Sequence, residues 1–449
     1  MIFPMLGLLR TSSRLRPSSH LPTTFEYSTI QHVRKTHTQY PPRKNTGTLQ
    51  GLRVLDLTRV LAGPFCSQIL ADYGADVIKV EQPQSGDDTR LWREDGEEKF
   101  WKPDASRTSL YFNTINRNKR SISLNLKHPD GRKIALDLAK TSDVVIENFI
   151  PGKLDKLGLG FEDLKKVNPS IILASISGYG GDGPYAQRAG YDVIGAAEGG
   201  LLHITGEADG PPTKPGVGLM DMCTGLYVHG AILSALYARD RTGQGQKIEA
   251  SLFETTVSIM SNVGMSWMNL SKEAQRWGTG HPTIVPYEAF KTKDSYLVAG
   301  AVNDRQFKIF CERVGIEELI RDPRFRDNNS RIKHRAALKP ILDKAFSLRT
   351  TKEWEAVFEG SGMPYGPINN LENVFSHPQT IARDMVQTIK QPAATAGEIK
   401  VIGSPVKFSH SQPTIRECPP SLGQHTEEIL SEQGFSDTEV SLLRRSGVI

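Results

Sequence analysis

The chain has 449 residues, of which 38% are hydrophobic and 23% charged, so it is long enough for two or three folded domains with full cores. Its formal net charge of +5 arises in the first 50 residues, which hold seven basic residues and one acid, Glu26. Removing these from the 55 basic and 50 acidic residues leaves 48 and 49, which excludes the basic excess of a nucleic-acid-binding protein. We expect that no apolar run is long enough to cross a membrane, and hence that the protein has no membrane partner.

Residues 1–45 have the composition of a mitochondrial transit peptide: they are rich in Ser, Thr and Arg and nearly free of acid. A secretory signal fits less well because the apolar opening is short, contains Pro4 and precedes the basic residues. A merely disordered leader is the alternative interpretation. The C-terminal Ser446-Gly-Val-Ile449 is not a peroxisomal ending, so we expect a mitochondrial protein, located in the matrix.

The four cysteines are widely separated and include no C-x-x-C pair, so the sequence predicts neither a zinc site nor a disulfide framework. Cys223 lies two residues from Asp221, but at that spacing on a helix the two side chains point in different directions. We interpret Cys223 as a packing residue. No metal is expected.

The first half of the chain after the leader alternates predicted strands with predicted helices. This alternation predicts an α/β fold with a parallel, Rossmann-like sheet in a large domain over residues 50–255. Ligands on such sheets bind outside the carboxyl ends of the strands, which is where Arg59, Gln82, Phe149 and Tyr179 fall. The predicted strands cover residues 54–58, 77–81, 121–126, 143–149, 171–177 and 246–252, and the predicted helices cover residues 63–73, 129–139 and 219–239.

The pattern changes near Trp277, which predicts a smaller α+β domain over residues 275–390. A hairpin is expected around the turn at residues 293–295. Helices are expected at about residues 305–314, 331–346 and 351–359.

The segment Gly216-Val-Gly-Leu-Met-Asp-Met-Cys-Thr-Gly225 places Asp221 in the first turn of the long apolar helix. The helix macrodipole favours negative charge there and is expected to help keep the carboxylate ionised. An ionised carboxylate that is partly shielded from water is a usable nucleophile toward an activated acyl group. The alternative is that Asp221 only caps its helix, as an isolated Asp at such a position usually does.

Further segments, taken together with Asp221, make the chain resemble the class III CoA-transferases of the formyl-CoA/carnitine CoA-transferase type. They are residues 51–90, Glu147-Asn-Phe-Ile-Pro-Gly152, Arg241-Thr-Gly-Gln-Gly-Gln-Lys247, Asp322-Pro-Arg-Phe325, Met363-Pro-Tyr-Gly-Pro367 and Leu422-Gly-Gln-His-Thr-Glu-Glu-Ile429. The resemblance implies an interlocked homodimer, and a C-terminal segment, residues 405–449, that returns to the large domain. It also implies that Asp221 is the catalytic nucleophile, which carries first an acyl group as an anhydride and then CoA as a thioester.

The resemblance further implies that coenzyme A binds as a cosubstrate and that no cofactor is tightly bound. The residues at the family's CoA-contacting positions are Arg59, Gln82, Leu124, Lys127, Asn148, Phe149 and Lys156. Lys127 and Lys156 are expected to bind CoA phosphates, although each could equally be a solvated surface charge. Leu61, Gln82 and Ser177 depart from the residues found in formyl-CoA transferase-like members.

Substrate choice is expected to depend on Arg117, Tyr179, Gly278 and Gly280. Arg117 could pair with the distal carboxylate of a dicarboxylic acid, or could instead be a phosphate contact or a surface charge. The Gly278-Thr-Gly-His281 loop could stabilise an oxyanion or be an ordinary linker turn. A mitochondrial leader on this family pattern implies succinyl-CoA, or a similar dicarboxylyl-CoA, as donor and glutarate or a related dicarboxylic acid as acceptor.

Three other functions fit the sequence less well. An α-methylacyl-CoA racemase would carry a His before Asp192, where this chain has Tyr191. A catalytically silent CoA-binding protein would have no need of Asp221. The glycines at 178, 180 and 183 match a dinucleotide fingerprint, but the chain continues as a predicted loop where that fingerprint requires a helix, so we predict a flexible active-site loop.

Overall fold

The computed structural model describes residues 46–105 and 107–449. The leader predicted over residues 1–45 lies outside the described residues, and it stays a prediction.

A six-stranded parallel sheet forms the centre of the fold, in the order β3-β2-β1-β4-β5-β6. Strands β1, β2 and β4 are buried along their whole length, as strands of a parallel sheet covered on both faces must be. The strand order reverses between β1 and β4, the point at which doubly wound sheets bind ligands. The prediction of a Rossmann-like sheet is confirmed. The strands are β1 (Arg53–Asp56), β2 (Asp76–Glu81), β3 (Lys119–Ser123), β4 (Val144–Glu147), β5 (Ile172–Ser177) and β6 (Lys247–Ser251).

Eighteen α-helices lie in the described part of the chain. The first ten are α1 (Ala62–Asp72), α2 (Leu110–Thr114), α3 (Pro129–Lys140), α4 (Lys153–Lys156), α5 (Phe161–Val167), α6 (Asp192–Glu198), α7 (Leu201–Ile204), α8 (Leu219–Thr242), α9 (Leu252–Ile259) and α10 (Ser261–Leu270). The remaining eight are α11 (Asp304–Val314), α12 (Asn328–Lys333), α13 (Arg335–Phe346), α14 (Thr351–Phe358), α15 (Leu371–Ser376), α16 (Pro378–Ala382), α17 (Thr426–Glu432) and α18 (Asp437–Arg445).

The two faces of the large sheet are covered by different helices, because alternate strand residues point to opposite sides. On one face Leu55 and Val145 belong to a core shared with α3, α5 and α17. On the other face Val54 and Val144 belong to a core shared with α1 and α8. The helix that carries Asp221 therefore packs on one face only.

A separate three-stranded antiparallel sheet, in the order β7-β8-β9, lies with its own core in the second half of the chain. The expected hairpin is present, but the helix expected over residues 331–346 is broken at His334, whose backbone angles (φ −110°, ψ 22°) depart from helical values. The core contains the stacked rings of Phe290 and Phe346, whose centroids are 4.3 Å apart, with Trp354 beside them. These strands are β7 (Tyr287–Lys291), β8 (Tyr296–Gly300) and β9 (Tyr365–Pro367).

A further hairpin, β10 (Val386–Lys390) with β11 (Glu398–Ile402), was not predicted from the sequence. It packs against Trp101, which lies far earlier in the chain. Glu97, itself buried, accepts a hydrogen bond from Trp101 Nε1 (2.8 Å) and one from the backbone N–H of Leu110. The hairpin is thereby connected to the start of α2.

The C-terminal segment covers the open edge of β3. His425 Nδ1 accepts a hydrogen bond from Ser121 N (3.1 Å), and Thr426 Oγ1 accepts one from Ser123 N (3.0 Å). An uncovered edge strand offers unpaired backbone groups to other chains, and these contacts satisfy such groups on β3. The limits predicted for the large domain, the small domain and the C-terminal return stay predictions, as does the homodimer.

Helix α8 is long and apolar enough to cross a membrane by length and composition, which corrects the expectation that no segment of the chain could. Its Val228, Ile232 and Leu236 are buried against the large sheet. We therefore interpret α8 as a core helix.

Two glycines of α8 provide a matched test of how closely this helix packs on α1. A Cβ on Gly225 would stand 2.7 Å from the carbonyl oxygen of Ala62, whereas a Cβ on Gly230 would meet no atom within 4 Å. Gly230→Ala should raise the free energy of unfolding by about 0.5–1 kcal/mol through helix propensity. Gly225→Ala should lower it by about 1–3 kcal/mol through overpacking. Urea denaturation measures both, and equal effects would contradict this packing.

Candidate active site

Asp221 is the third residue of α8, whose N-cap position is occupied by Gly218, without a side-chain cap from its own sequence. The cap comes from a distant residue: Asp192 Oδ1 accepts hydrogen bonds from Met220 N (2.6 Å) and Asp221 N (3.2 Å). Asp192 therefore satisfies the first N–H groups of the helix. The interpretation of Asp221 as merely the cap of its own helix loses its support, and its carboxyl group is free for another use.

The pKa of the Asp221 carboxyl is raised to about 7, first by burial and then by the negative charge of Asp192. The sequence led us to expect that the helix macrodipole would help keep this group ionised. Burial and a second carboxylate outweigh that effect here, because both disfavour the charged form. A carboxylate of raised pKa is more basic, and hence a stronger nucleophile once it is deprotonated.

The position of Asp192 depends on a close approach between two glycines. A Cβ on Gly190 would lie 2.5 Å from the Cα of Gly178, so neither position has room for a side chain. The chain between them has no regular secondary structure, and α6 begins only at Asp192. This loop is the one predicted from the glycine pattern, and the absence of a helix directly after Gly183 removes the dinucleotide interpretation.

The turn that follows β1 connects Asp221 to predicted CoA-binding residues. Leu61 Cδ2 lies 2.7 Å from where a Cβ on Gly218 would stand, and the Asp192 carboxylate lies 3.8 Å from the same point. Two residues earlier, Arg59 N donates to Asn148 Oδ1 (3.0 Å) and Arg59 O accepts from Asn148 Nδ2 (2.8 Å). Arg59 and Asn148 thus lie together at the carboxyl ends of neighbouring strands.

A cleft of about 240 Å³ opens beside Phe149, on the sheet face away from α8. Phe149 is half-buried, and the ammonium of Lys153 lies 5.5 Å from its ring centroid. The cleft is also lined by three acidic residues and one basic residue, which are Glu147, Asp155, Glu249 and Lys247. Its other lining residues are Ile150, Pro151, Gly152, Leu154, Gly160, Phe161, Leu173, Ser175, Ser177 and Gly181. Asp221 is not among the residues that line this cleft.

The remaining predicted CoA-binding residues differ in how accessible they are. Gln82, Lys127 and Lys156 are exposed, in the loop after β2, the loop after β3 and the last turn of α4 respectively. Leu124 is 1% exposed and its side chain belongs to the core beneath α3. A contact between Leu124 and CoA would therefore use the backbone, and the predicted contact stays a prediction.

Arg117 does not have the free guanidinium that the substrate prediction required. It pairs with both carboxylate oxygens of Asp72, with distances of 2.7 Å from Nη2 and 3.0 Å from Nε, and donates to Ile402 O (2.7 Å). The residue is 6% exposed. Its guanidinium is therefore part of the internal packing between α1 and β11, and we withdraw it as a substrate ligand.

In the described part of the chain, the other predicted substrate residues form no hydrogen bond with Asp221. The ring of Tyr179 packs beside Tyr185, Phe253 and the guanidinium of Arg188. Gly278 N donates to Gly206 O (2.9 Å), and Gly280 N donates to Trp277 O (2.8 Å). Both glycines thus lie in the segment that leads to β7, and their role in an oxyanion site stays a prediction.

Sequence reasoning missed Tyr111, on α2. Burial, followed by the charges of Asp221, Asp192 and Asp87, raises the pKa of its hydroxyl, so this group lies near three carboxylates. The ring of Trp92 meets that of Tyr111 edge-on, with centroids 5.4 Å apart. No spacing rule connects Tyr111 with Asp221, since the two are brought together only by the folded chain.

Among the described residues, no group of three or more His, Cys, Asp or Glu side chains could hold a metal ion. Asp192 is the charged neighbour that shifts the pKa of Asp221, and no basic group contributes to that shift.

Replacing Asp192 with Asn should lower the pKa of Asp221, because it removes the neighbouring negative charge but keeps an oxygen for the helix N–H groups. NMR of protein that carries carbon-13-labelled aspartate measures this pKa through the titration of the Asp221 carboxyl carbon. The Asp221→Asn variant assigns the resonance. The wild-type midpoint should lie near pH 7 and shift to lower pH in Asp192→Asn. As a control, Asp182→Asn changes an exposed loop residue and should leave the Asp221 midpoint unchanged. An unchanged midpoint in Asp192→Asn would contradict the electrostatic explanation.

Arg117→Met should destabilise the fold by about 3–5 kcal/mol, because it leaves the buried carboxylate of Asp72 without its cation. Adding Asp72→Asn should recover part of that loss, and urea denaturation of the two variants tests this. A substrate-binding Arg117 would give the opposite pattern, with an unchanged free energy of unfolding and a raised KM for the dicarboxylic acid.

Comparison with known proteins identifies the family of the chain. Residues 49–426 match the family described as CoA-transferase family III. The chain is 52% identical to an acyl-CoA transferase of Fusarium pseudograminearum, over 99% of this chain and 97% of that protein. It is 47% identical to the succinyl-CoA:glutarate CoA-transferase of Mus musculus, over 89% of this chain and 90% of that protein. A crystal structure of a CAIB/BAIF family protein from Brucella suis superimposes with a TM-score of 0.77 at 40% identity, covering 86% of this chain and all of that one. The chain therefore belongs to CoA-transferase family III.

Proposed function

We propose that this CoA-transferase moves CoA from succinyl-CoA, or a similar dicarboxylyl-CoA, to glutarate or a related dicarboxylic acid, with Asp221 as the nucleophile. The observation that carries the proposal is the half-buried carboxyl of Asp221, which Asp192 releases from helix capping and which lies three residues after Gly218, where Leu61 packs. A shielded carboxyl suits this chemistry because both of its acyl intermediates would react with water in an open site.

In the proposed first half-reaction the Asp221 carboxylate attacks the thioester carbon of the donor and expels the CoA thiolate, which gives a mixed anhydride. The thiolate then attacks the aspartyl carbon, which forms an aspartyl-CoA thioester and releases the donor acid. Formation of the anhydride requires the deprotonated carboxyl. With a pKa of about 7, the rate should rise as the pH increases through neutrality.

In the second half-reaction the acceptor carboxylate attacks the aspartyl thioester and expels CoA, which gives a second anhydride. CoA attacks the acceptor's acyl carbon in that anhydride, and the leaving group is the Asp221 carboxylate. The residue thus returns to its initial state without net consumption of water. An alkoxide could not replace it, since the ester it would form is too stable to return the acyl group.

The substrate pair is supported by the name of the mouse relative rather than by a cation seen at the site. A second carboxylate on the substrate would need a basic partner if it were buried. Arg117 is committed to Asp72, and no basic group shifts the pKa of Asp221. The distal carboxylate should therefore bind away from Asp192 and Asp221, whose negative charges would repel it.

The location and assembly belong to the same proposal. A mitochondrial matrix enzyme is supported by the composition of residues 1–45. A homodimer is supported by α10, which buries none of its residues in a single chain. The exposed apolar side chains of this helix are those of Met265, Trp267, Met268 and Leu270.

A racemase is a poorer interpretation of this site. Exchange of an α-proton needs a second acid–base group facing Asp221, and the residue before Asp192 is Tyr191, which is 63% exposed. A silent CoA-binding protein would not require a free, half-buried carboxyl at Asp221.

The test is intact-mass measurement of the protein after incubation with succinyl-CoA, alongside Asp221→Ala. The wild type should gain the mass of a bound acyl group or CoA, hydroxylamine should remove it, and glutarate should discharge it as glutaryl-CoA. The variant should show no gain. An equal mass gain in Asp221→Ala would contradict the assignment of the nucleophile. A wild type that forms no adduct and transfers no CoA would contradict the proposed CoA-transferase activity.

A further inference from the structure

Val60, in the turn between β1 and α1, has a φ of 72° in the left-handed region. Six non-glycine residues of the described chain have a positive φ, and the other five are Gln84, Asn118, Ser261, Ser271 and Asp384. Val60 is the only β-branched residue among them. Branching at Cβ makes this conformation unfavourable, so the surrounding structure must impose it.

Side chains from three different elements hold the successive peptide groups of this turn. Thr58 N donates to Asp56 Oδ1 (2.9 Å), at the end of β1 itself. Arg59 N and O are both bonded by the amide of Asn148, which follows β4. Val60 N donates to Asp87 Oδ1 (3.2 Å), which belongs to the loop after β2. The turn is therefore fixed from several directions at once.

The contact that holds Val60 is anchored by a buried ion pair. Lys79 Nζ lies 2.9 Å from Asp87 Oδ2, and both side chains are 0% exposed. Lys79 Nζ also donates to Thr58 O (2.8 Å), so the same lysine holds the turn and the carboxylate that holds Val60. Glu81 accepts from Asp87 N (3.0 Å) and thereby fixes the backbone at that carboxylate.

Val60 lies between the predicted CoA-binding positions and the segment that leads to Asp221. On one side, Arg59 is bonded to Asn148 and lies next to the CoA-binding positions. On the other, Leu61 packs on Gly218, three residues before Asp221. A change of φ at Val60 would move one of these contacts relative to the other.

We propose that Val60 is a positioning residue: its left-handed conformation, imposed by the buried Lys79–Asp87 pair, sets the spacing between the CoA-binding residues and Asp221. The inference rests on the proposed function, since it assigns the turn to the same reaction. It predicts that the sign of φ at position 60, rather than the valine side chain, matters for the rate.

Val60→Gly and Val60→Pro separate these possibilities. Glycine adopts a φ of 72° freely, whereas proline fixes φ near −65° and removes the N–H that Asp87 accepts. In the succinyl-CoA and glutarate assay, Val60→Gly should keep most of the kcat, and Val60→Pro should lose about tenfold or more while remaining folded by circular dichroism. Equal kcat values for two folded variants would overturn the proposal.

A second pair of variants keeps the test decisive if Val60→Pro does not fold. Lys79→Met combined with Asp87→Asn removes both charges but keeps an acceptor for Val60 N, and Lys79→Met combined with Asp87→Leu removes that acceptor at similar volume. The Leu pair should show the lower kcat, and adding Val60→Gly to it should restore the rate. Failure of that rescue would overturn the proposal.

In the same experiment, the wild-type protein distinguishes failure of the proposed function from failure of the positioning role of Val60. A wild type that forms no Asp221 adduct with succinyl-CoA contradicts the proposed function itself. A wild type that forms the adduct, together with folded Gly and Pro variants of equal kcat, contradicts only the positioning role of Val60.

Discussion

The site depends on one carboxylate placed beside another at the start of a helix. Asp192 accepts the N–H groups of Met220 and Asp221, and its charge helps to raise the pKa of the Asp221 carboxyl to about 7. A lone acid at this position would cap the helix and ionise easily. With the cap supplied from α6, Asp221 is left as a half-buried carboxyl group whose deprotonated form is unusually basic.

Buried charges elsewhere at the carboxyl edge of the sheet hold the backbone around this carboxyl. Lys119 Nζ donates to Pro64 O (2.9 Å) and to Asp56 Oδ2 (3.1 Å), and Lys79 Nζ donates to Thr58 O, four residues before α1 begins. Burial lowers the pKa of Lys119 to about 8 in spite of the nearby Asp56. Apolar residues of equal volume are often as stable as such pairs, so their presence is better explained by the conformation they fix than by stability.

Much of the fold could be predicted because the strands of a parallel sheet are buried on both faces and read as short apolar runs. The runs at Val54 and Val144 are such strands. The β10–β11 hairpin could not be predicted in this way, since its burial depends on Trp101, nearly 300 positions earlier. The break at His334 was missed for a related reason, because the helical pattern continues on both sides of it.

The site could be predicted where chemistry follows from local position, and less well where it depends on long-range pairing. Asp221 was predicted from its place at the start of α8 together with the resemblance to the CoA-transferases, whereas the use of Arg117 could not be known before Asp72 was placed against it. Leu124 had the expected position but a buried side chain. Tyr111 and the capping role of Asp192 carried no signal in sequence spacing, because each meets Asp221 only through the folded chain.

The most direct test of the central claim, that Asp221 carries the acyl group and then CoA, follows oxygen atoms during turnover. In the proposed reaction, glutarate labelled with oxygen-18 supplies the bridging oxygen of the second anhydride, and attack by CoA on the glutaryl carbon leaves that oxygen on Asp221. Mass spectrometry of the peptide that contains residue 221, after turnover with succinyl-CoA, should therefore show incorporated oxygen-18. Formation of glutaryl-CoA with no label in that peptide would contradict the account.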